Sequence, residues 1–319
     1  MRCVVVGGSG FIGSHVTDAL VTAGHDVTIV DVKLPHRTDV AFSQSSVQDL
    51  ERLTEIFGHA GRDAVFHLAA VANAREALND PVHAVDLNIG GTARVLEAAR
   101  KAQVRRVILA STVWCYNAVD QSAPIDGATR YLTEAEPILP SGGGHVYTTS
   151  KIASELLCHD FQRLYGAPFT ILRYGIPYGP RMWPGLALRA FIESSLEGKP
   201  IRIFGDGSAV RRFLYVEDLA RAHVLALRPE AENQTYNLEG DRDVTIRELA
   251  ETVGHFIPGT VIEYIVDSAR RGELALNGVV ISNEKARRGL NWQPTVELRQ
   301  GVESVVKWFF AARDKITAV

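Results

Sequence analysis

Short apolar runs alternate with amphipathic stretches through the first half of the chain. Cys3-Val4-Val5-Val6, Val27-Thr28-Ile29-Val30, Ala64-Val65-Phe66, Val107-Ile108-Leu109 and Phe169-Thr170-Ile171-Leu172 are short and rich in β-branched residues. They predict strands near 2–6, 26–30, 63–68, 105–110 and 168–173. The stretches near 11–23, 49–57, 81–102 and 148–165 have helical periodicity, with Asp49 where an N-cap belongs and Gly166 where a helix stops. Strands alternating with helices predict an α/β fold, a Rossmann-type doubly wound parallel sheet whose strands are joined by crossover helices. After Arg173 the texture changes: Tyr174-Gly175-Ile176-Pro177-Tyr178-Gly179-Pro180, Pro184-Gly185 and Gly205-Asp206-Gly207 crowd turns together. A smaller α+β substrate domain is therefore expected over 174–212 and 236–319. The dinucleotide-binding domain would cover 1–173 and be rejoined by about 213–235.

The turn after the first strand reads Gly7-Gly8-Ser9-Gly10-Phe11-Ile12-Gly13. Glycines at this spacing let a buried strand turn sharply into a helix, bring bare backbone to a pyrophosphate, and aim the helix N–H groups at its charge. The second strand ends at Asp31, about 20 residues on, where a carboxylate accepts hydrogen bonds from an adenosine ribose diol and repels a 2′-phosphate. NAD is the expected cofactor; Lys33, His36 and Arg37 nearby leave NADP open.

Composition narrows the remaining classes. The chain has 319 residues, 46% of them apolar, and a formal charge of −3, so a substantial core is expected and no basic block suggests nucleic acid. No run approaches a membrane span and no leader pattern opens the chain, which points to a cytoplasmic protein. Cys3, Cys115 and Cys158 are few and far apart; reduced thiols are expected, with neither a disulfide framework nor a zinc site.

Tyr147-Thr148-Thr149-Ser150-Lys151 sets a phenol and an ammonium on one helix face. A free tyrosine titrates at about 10, and a neighbouring cation favours its phenolate, so this pair is a candidate acid–base unit. With the glycine turn it carries a resemblance to the extended short-chain dehydrogenase/reductases of the nucleotide-sugar epimerase/dehydratase kind. His67-Leu68-Ala69-Ala70, Asn88-Ile89-Gly90-Gly91-Thr92, Leu172-Arg173-Tyr174, Tyr178-Gly179-Pro180-Arg181, Arg211-Arg212-Phe213-Leu214-Tyr215-Val216-Glu217-Asp218 and Leu290-Asn291-Trp292-Gln293-Pro294 match that family's landmarks in order.

The resemblance implies a catalytic set of Thr112, Tyr147 and Lys151. It implies cofactor contacts from Gly7, Gly10, Phe11, Ile12, Gly13, Asp31, Ser46, Val47, Leu68, Ala69, Ala70, Asn88, Tyr147, Lys151 and Tyr174. Substrate contacts would come from Thr112, Ile176, Phe204, Arg211 and Arg270, the two arginines suiting a diphosphate. Arg75 and Arg189 are candidates for a sugar carboxylate. Where family dehydratases carry an acid pair after the threonine, this chain has Val113 and Trp114, and the glutamate of the related decarboxylases is missing too. A nucleotide-sugar 4-epimerase is the leading expectation. A 4-ketoreductase or dehydratase, and a non-catalytic nucleotide-sensing or scaffold protein, are the alternatives.

Three departures stand out. Ser46 replaces the acid expected against the adenine, Ile176 replaces an asparagine near the sugar diphosphate, and Pro140-Ser141-Gly142-Gly143-Gly144-His145 lengthens the approach to Tyr147. That glycine run suits a flap, an anion nest or a slack surface loop. Helices 81–102 and 148–165 resemble those through which the family forms homodimers.

Overall fold

The computed structural model describes residues 1–60, 63–118, 129–140, 143–266 and 279–317. Its main sheet has seven parallel strands: β1 (Arg2–Val6), β2 (Asp26–Asp31), β3 (Ala41–Gln44), β4 (Ala64–His67), β5 (Val107–Thr112), β6 (Phe169–Tyr174) and β7 (Gln234–Leu238). They lie in the order β3-β2-β1-β4-β5-β6-β7. Strand order reverses between β1 and β4, and the carboxyl ends of that pair form the crevice where such sheets bind ligands.

β1, β4, β5 and β6 are almost wholly buried, which explains their continuous apolar runs. The crossover helices are α1 (Phe11–Thr22), α2 (Leu50–Ala60), α3 (Gly91–Lys101) and α4 (Val146–Tyr165). Leu53, Ile56 and Phe57 of α2 and Val95, Leu96 and Ala99 of α3 join Val4, Val6 and Val65 in one core. Asp49 accepts the Arg52 N–H, and Gly166 closes α4 in the left-handed conformation with φ 64°. Cys3, Cys115 and Cys158 are free and buried.

The stretch expected as one helix over 81–102 is divided. Ala74–Asn79 and Pro81–Val85 are short helices, the latter capped by Asp80, and a π-helical turn over Asp86–Gly90 leads into α3. Such a turn inserts an extra residue and re-aims a side chain, here Asn88, which is 2% exposed.

Contacts divide the chain into two units. The first comprises Met1–Gly175, Leu219–Leu238 and Gly278–Gln293; the second comprises Ile176–Asp218, Glu239–Asn277 and Pro294–Val319. The chain returns to the first unit at Leu219 rather than at about 213, because Phe213–Tyr215 pairs with Ile176–Tyr178 of the second unit. A further passage, within the span expected for the substrate domain, gives the first unit Val279–Ile281, paired with Arg130–Leu132, and the fully buried Trp292.

The second unit is α+β. Ile201–Phe204 pairs with Ile262–Ile265 and Val210–Arg211 with Val244–Thr245, beside helices Ala187–Leu196, Ile246–Phe256 and Leu298–Thr317.

Candidate active site

The glycine turn lies at the sheet's switch point, between β1 and α1. Gly7 has φ +88° and donates its N–H to Val30 O at 2.8 Å. A Cβ there would fall 2.5 Å from Ala69 N, and one on Gly13 would fall 2.0 Å from Gly7 O. No side chain fits at either place, so backbone is exposed to the crevice where a pyrophosphate would lie. Gly10 precedes α1 without a side-chain cap, and the first turn, Phe11-Ile12-Gly13, carries no acid. The positive end of the helix dipole is left for an anionic ligand. Leu68 and Ala69 both donate their N–H groups to Val6 O, which binds the Leu68-Ala69-Ala70 segment to the same turn.

Asp31 closes the other side of the crevice. Its carboxylate accepts N–H groups from Ser9 and Lys33, each at 3.0 Å, and keeps lone pairs for a ribose diol. His36 and Arg37, two of the cations that had left NADP open, are engaged with Asp18 and Asp39. Val47 is buried against Gly91, and the Ser46 hydroxyl accepts the Gln48 N–H at 3.2 Å. The glycine cradle and the anchored carboxylate fit NAD.

The reactive groups lie at the end of β5. Thr112 is its last residue, and α4 presents Tyr147 and Lys151 one turn apart. The Thr112 side chain is near enough to the Tyr147 hydroxyl to lower its pKa, and the Thr112 oxygen accepts the Trp114 N–H at 3.2 Å. Lys151 Nζ donates to Ala110 O at 3.0 Å.

Burial pushes the Tyr147 phenol up to about 12, and the Thr112 side chain only partly opposes this. Burial also lowers Lys151 to about 8, against the pull of the Glu155 carboxylate. With burial the dominant influence on the phenol, a phenolate at neutral pH needs positive charge beside it.

Buried polar groups brace this cluster. Arg173 and Glu155 form a two-pronged ion pair, with distances of 3.0 and 2.7 Å, and Ser111 donates to the same carboxylate. Asn88 accepts the Val71 N–H at 2.8 Å and donates to Val71 O and Ser150 Oγ. Both its amide hydrogens are thus used within the protein, tying the loop after β4 to α4. Only a carbonyl lone pair is left for the cofactor contact expected of it. The Tyr174 hydroxyl meets His223 Nε2, whose other nitrogen donates to Leu219 O at 2.9 Å.

The remaining sequence candidates belong to other elements. Ile176 opens the first strand of the second unit, Phe204 ends Ile201–Phe204 at 44% exposure, and Arg211 donates to Val210 O at 2.7 Å. Arg189 is held by Glu193 and Met182 O, while Arg75 sits in the first turn of its short helix. Arg270, Ser141 and Gly142 fall outside the described residues. Trp114, His145, Glu155 and His223 were not assigned roles from sequence. His145 had one local signal: it immediately precedes the helical Val146-Tyr147, the position of an N-cap.

The model of the NAD dependent epimerase/dehydratase family matches residues 3–239. The chain belongs to this family. A putative UDP-glucose 4-epimerase of Methanocaldococcus jannaschii is 32% identical, over 96% of this chain and 97% of that protein. A dTDP-glucose 4,6-dehydratase of Neisseria gonorrhoeae is 29% identical, over 96% and 94%. The crystal structure of the Thermus thermophilus UDP-glucose 4-epimerase in complex with NAD superimposes with a TM-score of 0.84 at 31% identity, covering 98% of this chain and all of that one. As a member of the epimerase/dehydratase family the protein is an NAD-dependent enzyme with a Rossmann-like sheet. Among its described residues no helix is long and apolar enough to cross a membrane.

Proposed function

We propose that the protein is a nucleotide-sugar 4-epimerase. The observation that carries this reading is Thr112 beside Tyr147, with Lys151 one turn on and the apolar Val113-Trp114 following the threonine. These residues can move one proton at one carbon, and neither side chain after the threonine can expel a neighbouring hydroxyl or abstract a second proton. Bound NAD supplies a reversible hydride acceptor.

Thr112 holds the sugar's C4 hydroxyl on the path to Tyr147, which takes its proton as the carbonyl forms and returns it when the carbonyl is reduced. Lys151 supplies positive charge on the same helix face and reaches the nicotinamide ribose. Inversion requires the 4-keto sugar to present its other face before reduction. Gly7, Gly10, Phe11, Ile12, Gly13, Asp31, Ser46, Val47 and Leu68-Ala69-Ala70 would hold the cofactor, with Tyr174 and the Asn88 carbonyl as further contacts. Arg211 and Arg270 are the candidates to hold the diphosphate, and Phe204 and Ile176 to contact the substrate.

The protein works as a cytoplasmic homodimer. Leu156 and Leu164 of α4 are 60% and 65% exposed, apolar surface that supports pairing of two copies.

The purified protein should retain NAD and convert at least one member of a UDP-, dTDP- and GDP-sugar panel to its C4 epimer without net NADH. Stoichiometric accumulation of a 4-keto product alone would sink this reading. The dehydratase likeness supports a second one, a 4-ketoreductase or dehydratase, which would show water loss by mass or turnover dependent on added NADH.

A further inference from the structure

Two aromatic side chains stand beside the reactive tyrosine. The His145 ring lies 6.0 Å from that of Tyr147, centroid to centroid, and within 25° of parallel; Trp114 meets His145 edge-on at 5.0 Å. Trp114 is 38% exposed and His145 is half-buried. The Trp114 backbone is also fastened to the Thr112 hydroxyl. The two rings are therefore near neighbours of Thr112 and Tyr147 in the same unit.

The position of His145 fixes its charge state. It is the N-cap of α4, and its Nδ1 accepts the Thr148 N–H at 3.2 Å. An imidazole that accepts through Nδ1 carries its proton on Nε2 and is neutral. Protonating Nδ1 would remove the cap and put a cation at the positive end of a helix, both unfavourable. Burial acts in the same direction, lowering the pKa of this histidine. His145 also takes up the helix end that could otherwise attract an anion, since its ring holds the Thr148 N–H and its carbonyl the Thr149 N–H.

We propose that Trp114 and His145 form the wall against which the sugar ring packs, and that this wall selects a neutral hexose or deoxyhexose over a uronate. The inference rests on the nucleotide-sugar reading above. An indole face suits the C–H edge of a pyranose. A carboxylate pressed on the same wall loses water and gains no opposite charge from it.

The test is equilibrium binding of UDP-glucose and UDP-glucuronate to NAD-loaded Tyr147→Phe protein, alongside turnover of both by the wild type. The neutral sugar should bind at least about tenfold tighter, and Trp114→Ala should narrow that ratio by weakening UDP-glucose, with Trp114→Phe restoring most of it. His145→Ser, which keeps a capping oxygen, should narrow it less. Equal or tighter binding of the uronate, or a ratio unchanged in both variants, overturns the wall even if C4 inversion is seen. The expected ratio without C4 inversion by the wild type leaves the wall standing and removes the epimerase reading. Binding of neither sugar overturns the wall, and the epimerase reading is then decided by the dTDP- and GDP-sugars of the panel.

Discussion

The turn after β1 and the cluster after β5 stand on the same sheet but are held in opposite ways. The turn is held by what is missing: Gly7 and Gly13 leave room for backbone to touch backbone, and its hydrogen bonds run to Val30 and Asp31 of the adjoining strand. The cluster is held by side chains that must find distant partners. Ser111 meets Glu155 across 44 residues, Asn88 meets Ser150 across 62, and Arg173 meets Glu155 across 18. Cofactor binding thus rests on local geometry, and the placement of the reactive groups rests on a buried polar scaffold. The two should fail separately.

The largest separation is expected from Glu155→Gln. It removes the carboxylate that pairs with the buried Arg173 and the anion that favours a charged Lys151. Leaving a buried guanidinium unpaired costs roughly 3–5 kcal/mol. Urea unfolding should show a loss of that order, while protein that remains folded still carries NAD. A loss below about 1 kcal/mol would mean that the cluster does not depend on this pair.

Gly13→Ala should do the converse. Its methyl would overlap Gly7 O, so the turn must open by more than an ångström or the helix must shift. Overpacking of this kind costs about 1–3 kcal/mol, and the shifted backbone no longer fits a pyrophosphate. NAD content after gel filtration should fall to background, with the Thr112–Tyr147–Lys151 geometry preserved in a structure of the variant.

The same contrast explains what could be read from the chain. The turn, Asp31, the buried strands and the Asp49 and Gly166 ends of helices are written in local residue types, so periodicity and glycine spacing located them. β3 escaped notice because Ala41–Gln44 is a short edge strand with both ends exposed and no apolar run. β7 escaped because Gln234-Thr235-Tyr236-Asn237-Leu238 begins with polar residues and carries the buried Asn237, which receives the Tyr116 hydroxyl, one position before its end. The Tyr147–Lys151 spacing was legible, but its electrostatics were not. A sequence shows that a lysine is near a phenol; it does not show that both lie where desolvation dominates. His145 and Trp114 became meaningful only when α4 and β5 brought their rings together.

The mildest separation comes from acid. His223 is fully buried, donates through Nδ1 to Leu219 O, accepts the Tyr174 hydroxyl at Nε2 and packs against Phe66. Burial lowers its pKa to about 4, and that of His67, next to Lys151, to about 3. Both folded values lie below the ordinary histidine value of about 6.5, so the unfolded chain takes up protons first as pH falls. Stability is therefore fully present above about pH 6.5 and is lost as pH drops toward 4. For His223 alone the loss is about 1 kcal/mol at pH 5.5, because Nε2 cannot hold a proton and still accept from Tyr174. His223→Gln keeps an acceptor for that hydroxyl and removes the titration. Its urea midpoint should fall less steeply than the wild type's between pH 6.5 and 4, with NAD content unchanged at pH 7. Parallel pH profiles would show that acid acts on groups outside the cluster, and a variant that lost NAD at pH 7 would show that cluster and turn are coupled after all.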